Sequence, residues 1–154
     1  MAPLVIDTLD SLSDYVGREI ATTEWLQVSQ AQIRQFADAT GDHNWIHIDA
    51  ERARRESPYG TTVAHGFLTM SLISQFMSQA LRVQRGVRIT INYGLNRLRF
   101  PSPLRVDSRI RAKITLQAVT NRGDCTEAVY FIVVEAAEAE KPCCVAEWIL
   151  RYYP

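Results

Sequence analysis

The chain has 154 residues, 47% of them apolar and 22% charged, and its 17 Lys and Arg offset 17 Asp and Glu to a formal charge of zero with three His uncounted. That length predicts one domain, residues 1–154, with enough apolar side chains for a packed core, and the composition excludes disordered, collagen-like and disulfide-framework classes. A neutral chain has no net field to draw it onto nucleic acid or an acidic membrane, so function is expected from a local site.

At the start of the chain, Leu9, Leu12, Tyr15 and Val16 fall at helical spacing and predict a peripheral helix over Thr8 to Val16. Asp7, Asp10 and Asp14 stand where a secretory leader needs a cationic start and an apolar block, so no secretion signal is read there. Thr23 to Val28, with Trp25 and Leu26, reads as an early strand ending at Ser29, which forms an S-x-x-Q capping box with Gln32. The helix opened by that box has Ile33, Phe36 and Ala37 on its buried side, and Gly41 sits where a left-handed C-terminal residue is wanted. The segment GDHNWIH follows and reads as a loop. Asp49 then caps a short charged helix through Glu51, Arg52, Arg54 and Arg55, which Ser57-Pro58-Tyr59-Gly60 breaks.

From Val63 to Leu81, apolar residues including Phe67, Leu68, Met70, Ile73, Phe76 and Met77 cover most of a helix circumference, which predicts an enclosed helix. Ser71, Ser74, Gln75, Ser78 and Gln79 interrupt it too often for a lipid-facing span. Val87, Ile89, Ile91 and Tyr93 alternate with polar residues as a strand does, and Arg97 and Arg99 are read as leaving it. Between Leu104 and Ala118 the even positions are apolar or small and the odd ones polar, giving a strand with one wet face. Asn121-Arg122-Gly123-Asp124 turns the chain into a run from Cys125 to Val134, and Lys141-Pro142 precedes a last strand, Cys143 to Tyr153. The three long strands form an antiparallel meander, and the whole predicts an α+β domain in which a curved sheet wraps a central helix, a hotdog-like layout. Cys125, Cys143 and Cys144 are too few and too oddly placed for a disulfide framework and fit a reducing, cytoplasmic setting.

His43, His47 and His65 lie close together with Asp42, Asn44 and Asp49 among them, the strongest local signal in the chain. Asp42 and His47, on one constrained segment, can hold and activate a water between them; the plainer reading is that Asp42 closes a turn and His47 bonds a backbone carbonyl. Metal binding by His43, His47 and a carboxylate is the weaker alternative, because HxxxH needs a helix and Gly41 with Asn44-Trp45 argues for a loop. His65-Gly66 opens the central helix, where free N–H groups can meet an oxyanion and Gly66 lets a ligand approach the backbone. Ser71 either faces the same cavity or bonds the carbonyl four residues back, and no G-x-S-x-G elbow supports acyl-serine chemistry. Arg97 and Arg99 are candidates for an anionic group, with solvated charge as the alternative. Arg105, Arg109, Arg111 and Lys113, without interleaved aromatics, read as the wet face of a strand and not as a nucleic-acid surface.

The segments FADATGDHNWIH, AHGFLTMSL and NYGLNRLRFPSPL resemble, in order and over almost the whole chain, the MaoC-like hotdog (R)-specific enoyl-CoA hydratases, in particular the nodulation-protein-N-like branch. The resemblance implies hydration of trans-2-enoyl-CoA to (3R)-3-hydroxyacyl-CoA without metal or organic cofactor. It further implies Asp42 and His47 as the catalytic pair, Asn44 shaping the loop and Gly66 offering its N–H to the thioester oxygen, with Ser71 near the reacting centre. His65, Arg97 and Arg99 are carried as substrate contacts. Trp45 stands where the usual motif has Pro and is expected to reshape the acyl pocket. A homodimer is implied, with an acyl-CoA or acyl-carrier-protein substrate. A hotdog thioesterase and a non-catalytic acyl-binding module are the competing readings.

Overall fold

A computed structural model describes residues 2–154. β1 (Leu4–Thr8) leads into a 3-10 segment, Leu9–Tyr15, followed by β2 (Glu19–Thr22) and β3 (Leu26–Gln27). Five helices come next: α1 (Gln30–Thr40), α2 (Trp45–Ile48), α3 (Ala50–Glu56), α4 (Gly66–Ser71) and α5 (Ile73–Ala80). The remainder is strand: β4 (Leu81–Arg85), β5 (Ile89–Arg99), β6 (Arg109–Asn121), β7 (Thr126–Ala136) and β8 (Cys144–Tyr153).

The main sheet runs β2-β6-β7-β8-β5, with β3 also on β6, and its pairs are antiparallel. The expected meander is thus present as β6-β7-β8. Its alternation is sharp because one face is dry: Ile110, Ala112, Ile114 and Leu116 on β6 and Ala128, Tyr130, Ile132 and Val134 on β7 are all fully buried. These side chains meet Ile73, Phe76, Met77 and Ala80 of α5 in a single core cluster, so the sheet does wrap the helix. The architecture is the α+β hotdog layout. No helix among the described residues is long and apolar enough to cross a membrane.

The caps read from sequence are in place. Ser29 Oγ accepts from the Gln32 amide at 3.3 Å, Asp49 Oδ1 accepts from the Arg52 amide at 2.9 Å, and Gly41 takes the left-handed conformation at φ 77°. There a side chain would strain the backbone, so a glycine ends α1 where the next segment must change direction.

Several elements differ from the sequence expectation. The first helix is a 3-10 segment and is not peripheral, since Leu9 and Leu12 are buried. The predicted strand over Thr23 to Val28 shrinks to Leu26–Gln27, because at Thr23 the side-chain Oγ1 takes over as acceptor from the Ala112 amide, at 2.9 Å. The central helix starts at Gly66, not Val63, and divides at Leu72, which keeps helical dihedrals. It ends at Ala80 because Leu81 is drawn into a parallel pair with Leu4, as β4 lies along β1. One side of this helix is also open: Phe67 is 64% exposed, and Ser71, Ser74, Gln75, Ser78 and Gln79 face outward. Leu104 and Arg105 pair instead with the 62–64 segment through an Arg105–Val63 bridge, and a turn over Val106 and Asp107, the latter at φ 62°, follows, so β6 begins only at Arg109. Arg97 and Arg99 lie within β5 instead of leaving it.

Candidate functional site

The segment 42–48 is held from three sides. On the helix side, Gln30 of α1 donates from Nε2 to the His47 carbonyl at 2.7 Å and accepts the buried Thr62 hydroxyl at 2.6 Å. Arg34 donates to the Ile48 carbonyl at 2.8 Å. On the other side the Val63 amide donates to the Ile46 carbonyl at 3.0 Å, while the Ala64 amide reaches the Leu104 carbonyl at 2.8 Å. Within the segment, Asn44 caps α2 by accepting the Ile46 amide at 3.4 Å, and Asp42 Oδ1 accepts the Asn44 amide at 3.3 Å. The expected loop is therefore partly helical: Trp45 to Ile48 form one turn that carries His47.

These ties bring Asp42, His47 and His65 together, with one ligand-type atom of each within 4.8 Å of the others. His47 is buried and its Nδ1 lies 2.7 Å from the Val63 carbonyl, so Nδ1 carries the hydrogen and donates. The other ring nitrogen, Nε2, is then a lone-pair acceptor. Burial holds His47 below the usual histidine range, helped by His65 and opposed by the Val63 carbonyl and Asp42. His65 stacks on His47 with ring centroids 3.7 Å apart and planes 25° off parallel. Its Nε2 donates to the Asp42 carbonyl at 3.0 Å and lies 3.9 Å from Asp42 Oδ2. Asp42 itself is half exposed, so the cluster offers one accessible carboxylate beside a neutral, buried imidazole.

A histidine protonated less readily folded than unfolded makes stability pH-dependent. The contribution is fully present above the unfolded pKa of about 6.5 and is lost as pH falls below it, where the unfolded chain takes up the proton first. The urea midpoint is expected to fall as pH is lowered from about 7.5 to about 5.5, with a shallower fall in His47→Asn, which has no imidazole to protonate there.

The sequence candidates separate into two groups. Asp42, His47, Asn44 and His65 converge, and Gly66 follows His65 as the first residue of α4. A Cβ at Gly66 would come within 2.8 Å of the Phe100 ring, so glycine is what lets that ring lie against the helix start. His43, by contrast, turns away to Asp38 Oδ1 at 2.8 Å, and the ligand pair considered from HxxxH is not assembled. His65 stands in its place, but His47 Nδ1 and His65 Nε2 are committed to carbonyls, and the stacked, nearly parallel rings hold their remaining nitrogens in separate planes. A tetrahedral metal site needs converging lone pairs, so the arrangement suits proton transfer better than coordination. Ser71 donates to the Phe67 carbonyl at 2.7 Å, the plainer of its two sequence readings. Trp45 lies under the Arg52 guanidinium, 4.5 Å from the ring centre. Arg97 and Arg99 are exposed, and neither forms an ion pair among the described residues; Arg99 donates to the Leu98 carbonyl. Sequence reasoning missed Gln30 and Thr62, whose pairing across the fold leaves no local signal.

Beyond Gly66, two cavities follow the helix. The nearer, about 110 Å³, is lined by Met70, Ser71, Ile73 and Leu95. The farther, about 400 Å³, is lined by Met77, Leu81, Val87, Thr90 and Tyr152. Ser74, Asn92 and Trp148 border both, and Trp148 Nε1 donates to Asn92 Oδ1, so this pair forms a partition. At about 1.5 Å rise per residue, Ser71 is only about 7.5 Å along the axis from Gly66.

Residues 11–138 match the family model described as MaoC like domain. The chain is 44% identical over 149 residues to 3-hydroxyacyl-thioester dehydratase Z of Mycobacterium tuberculosis, covering 94% of this chain and 97% of that protein. It is 40% identical over 143 residues to Nodulation protein N of Rhizobium meliloti, covering 92% and 89%. Among solved structures, the unliganded (R)-hydratase PhaJ1 of Pseudomonas aeruginosa superposes with a TM-score of 0.68 at 22% identity, over 90% of this chain and 81% of that one.

Proposed function

The chain belongs to the MaoC-like domain family, and from that premise we propose that it is a hydro-lyase that adds water reversibly to trans-2-enoyl thioesters, giving (3R)-3-hydroxyacyl products. The observation that carries this reading is the convergence of a half-exposed Asp42 carboxylate with the buried, neutral His47. Residues 1–154 act as one domain, and a homodimer is the working unit. The substrate is an acyl-CoA, with an acyl carrier protein as the other possible carrier of the thioester.

In the reaction, Asp42 and His47 hold one water. His47 Nε2, free to accept because Nδ1 donates to Val63, takes a proton as the water oxygen bonds to C3 of the enoyl group. The C2–C3 π electrons move toward the carbonyl, and negative charge develops on the thioester oxygen. The Gly66 N–H at the start of α4 meets that charge, a contribution that typically amounts to about 2.7–4 kcal/mol. The proton held by the pair then returns to C2. Dehydration is the same path reversed, which agrees with the dehydratase names of the relatives. Arg97 and Arg99, exposed on β5, would pair with the anionic arm of CoA.

The test is incubation of the purified protein with trans-2-enoyl-CoA of graded chain length, with chiral analysis of the product and a free-thiol assay. Hydration to the (3R) alcohol without thiol release is the expected result. Thiol release from saturated acyl-CoA would replace this reading with a thioesterase, and binding without turnover would replace it with a carrier module. The Trp148–Asn92 partition adds a length expectation: Trp148→Ala joins the two cavities and moves the preferred substrate to longer chains, measured as kcat/KM across the series.

A further inference from the structure

One buried ring in the site takes no part in the proton path above. His65 is 3% exposed, and its Nε2 is occupied as donor to the Asp42 carbonyl. Its Nδ1 is buried and has no hydrogen-bond partner. Nothing beside Nδ1 could accept a hydrogen, so the ring meets its surroundings through the Nε2 hydrogen that it donates to the Asp42 carbonyl. One face of the ring lies on His47, and Phe36 of α1 approaches it at 5.0 Å and 54°. An imidazole with one committed edge and two packed neighbours has little freedom to turn.

We propose that His65 is a positioning residue, not a substrate contact: its edge pins the Asp42 peptide while its face fixes the His47 ring, so that carboxylate and imidazole are set against each other before substrate arrives. The proposal rests on Asp42 and His47 being the reacting pair. Its physical basis is that the segment 42–48 and the start of α4 are separate elements with α3 between them, and His65 is the side chain that bonds one reacting residue and stacks on the other. A displacement of about 1 Å in such a pair can cost about 10²-fold in rate.

Two variants separate the edge from the face. H65F keeps the ring volume and the stack but has no donor, whereas H65Q carries an amide N–H at similar reach without the ring. Both are checked by thermal melting, then compared with wild type for kcat and KM in crotonyl-CoA hydration. His47 and the His43 amide, whose peptide group contains the Asp42 carbonyl, are followed by NMR over pH. Of the ionisable groups on elements packed against His47, Asp42 and His65 act on its ring. Arg34 is engaged with the Ile48 carbonyl, and Asp38 with His43.

H65F is expected to lose kcat by about 10²-fold at unchanged KM, and H65Q, which restores the edge but not the face, to recover part of that loss. In both, His47 titrates at higher pH because a neighbouring imidazole that disfavours its charge is gone, and the His43 amide resonance shifts in H65F alone. Wild-type kcat in H65F, an equal fall in H65F and H65Q, or an unmoved His47 titration would each overturn the proposal. A wild-type protein that hydrates no enoyl thioester would remove the functional reading, and the two NMR signals would still decide whether His65 couples the pair.

Discussion

Asp42→Asn and His47→Asn are each expected to lower kcat for crotonyl-CoA hydration by about 10²- to 10⁴-fold, the range that a positioned acid or base supplies. Both substitutions spare the fold. An asparagine at 42 keeps an oxygen for the Asn44 amide and loses only the charge, at a side chain that is half exposed. At 47 the amide nitrogen of asparagine stands close to where Nδ1 was, so the 2.7 Å bond to the Val63 carbonyl has a replacement donor, while the Nε2 acceptor is gone. Because the two groups handle one water, their losses should not add: the double variant is expected to be about as slow as the slower single one. Loss of enoyl absorbance under saturating substrate gives the rates, and far-UV circular dichroism with a melting curve checks the fold. A full rate in either folded variant would remove that residue from the mechanism.

What could be read in the sequence divides by the range of the physics involved. The ends of α1 and the start of α3 were legible because Ser29, Gly41 and Asp49 act within a few residues of themselves. The β6-β7-β8 meander was legible because a sheet with one dry face writes a period of two. The end of the central helix was not, since Leu81 sits at helical spacing and only the distant β1 makes it a strand. Nor was that helix's open side. Phe67 has the hydrophobicity and spacing of a core residue, yet it stands 64% exposed beside Phe100 in an edge-on pair at 6.1 Å. Within the site, Asp42 and His47 share a segment and could be paired by eye. The stack of His47 on His65 depends on the hydrogen bond between the Val63 amide and the Ile46 carbonyl, a non-local contact with no local residue signature.

That exposed aromatic pair leads to the second large effect, at the edge of the sheet. β5 ends the strand order, pairs with β8 along one side, and leaves the backbone of its other side open. Ile89, Ile91, Tyr93 and Leu95 on this strand are 48%, 40%, 53% and 37% exposed. A long apolar edge of this kind is an aggregation hazard unless something pairs with it. A second copy of the same strand, running antiparallel about a two-fold axis, would satisfy both the open backbone and the apolar side chains, because such an interface is self-complementary. Ile89→Lys with Ile91→Lys would put charges into that apolar seam from both copies, with a desolvation penalty of several kcal/mol per ion. Dimer affinity is then expected to fall by about 10³-fold. Sedimentation velocity should show the wild type at twice the 17.5 kDa chain mass and the double variant at the chain mass itself. Activity should follow, because the Phe100 ring that borders this edge also packs against Gly66 at the start of α4. The variant's specific activity should therefore rise with protein concentration as dimers re-form. A wild-type protein that sediments as a monomer at micromolar concentration with full activity would overturn the dimer and the link between the edge and the site together.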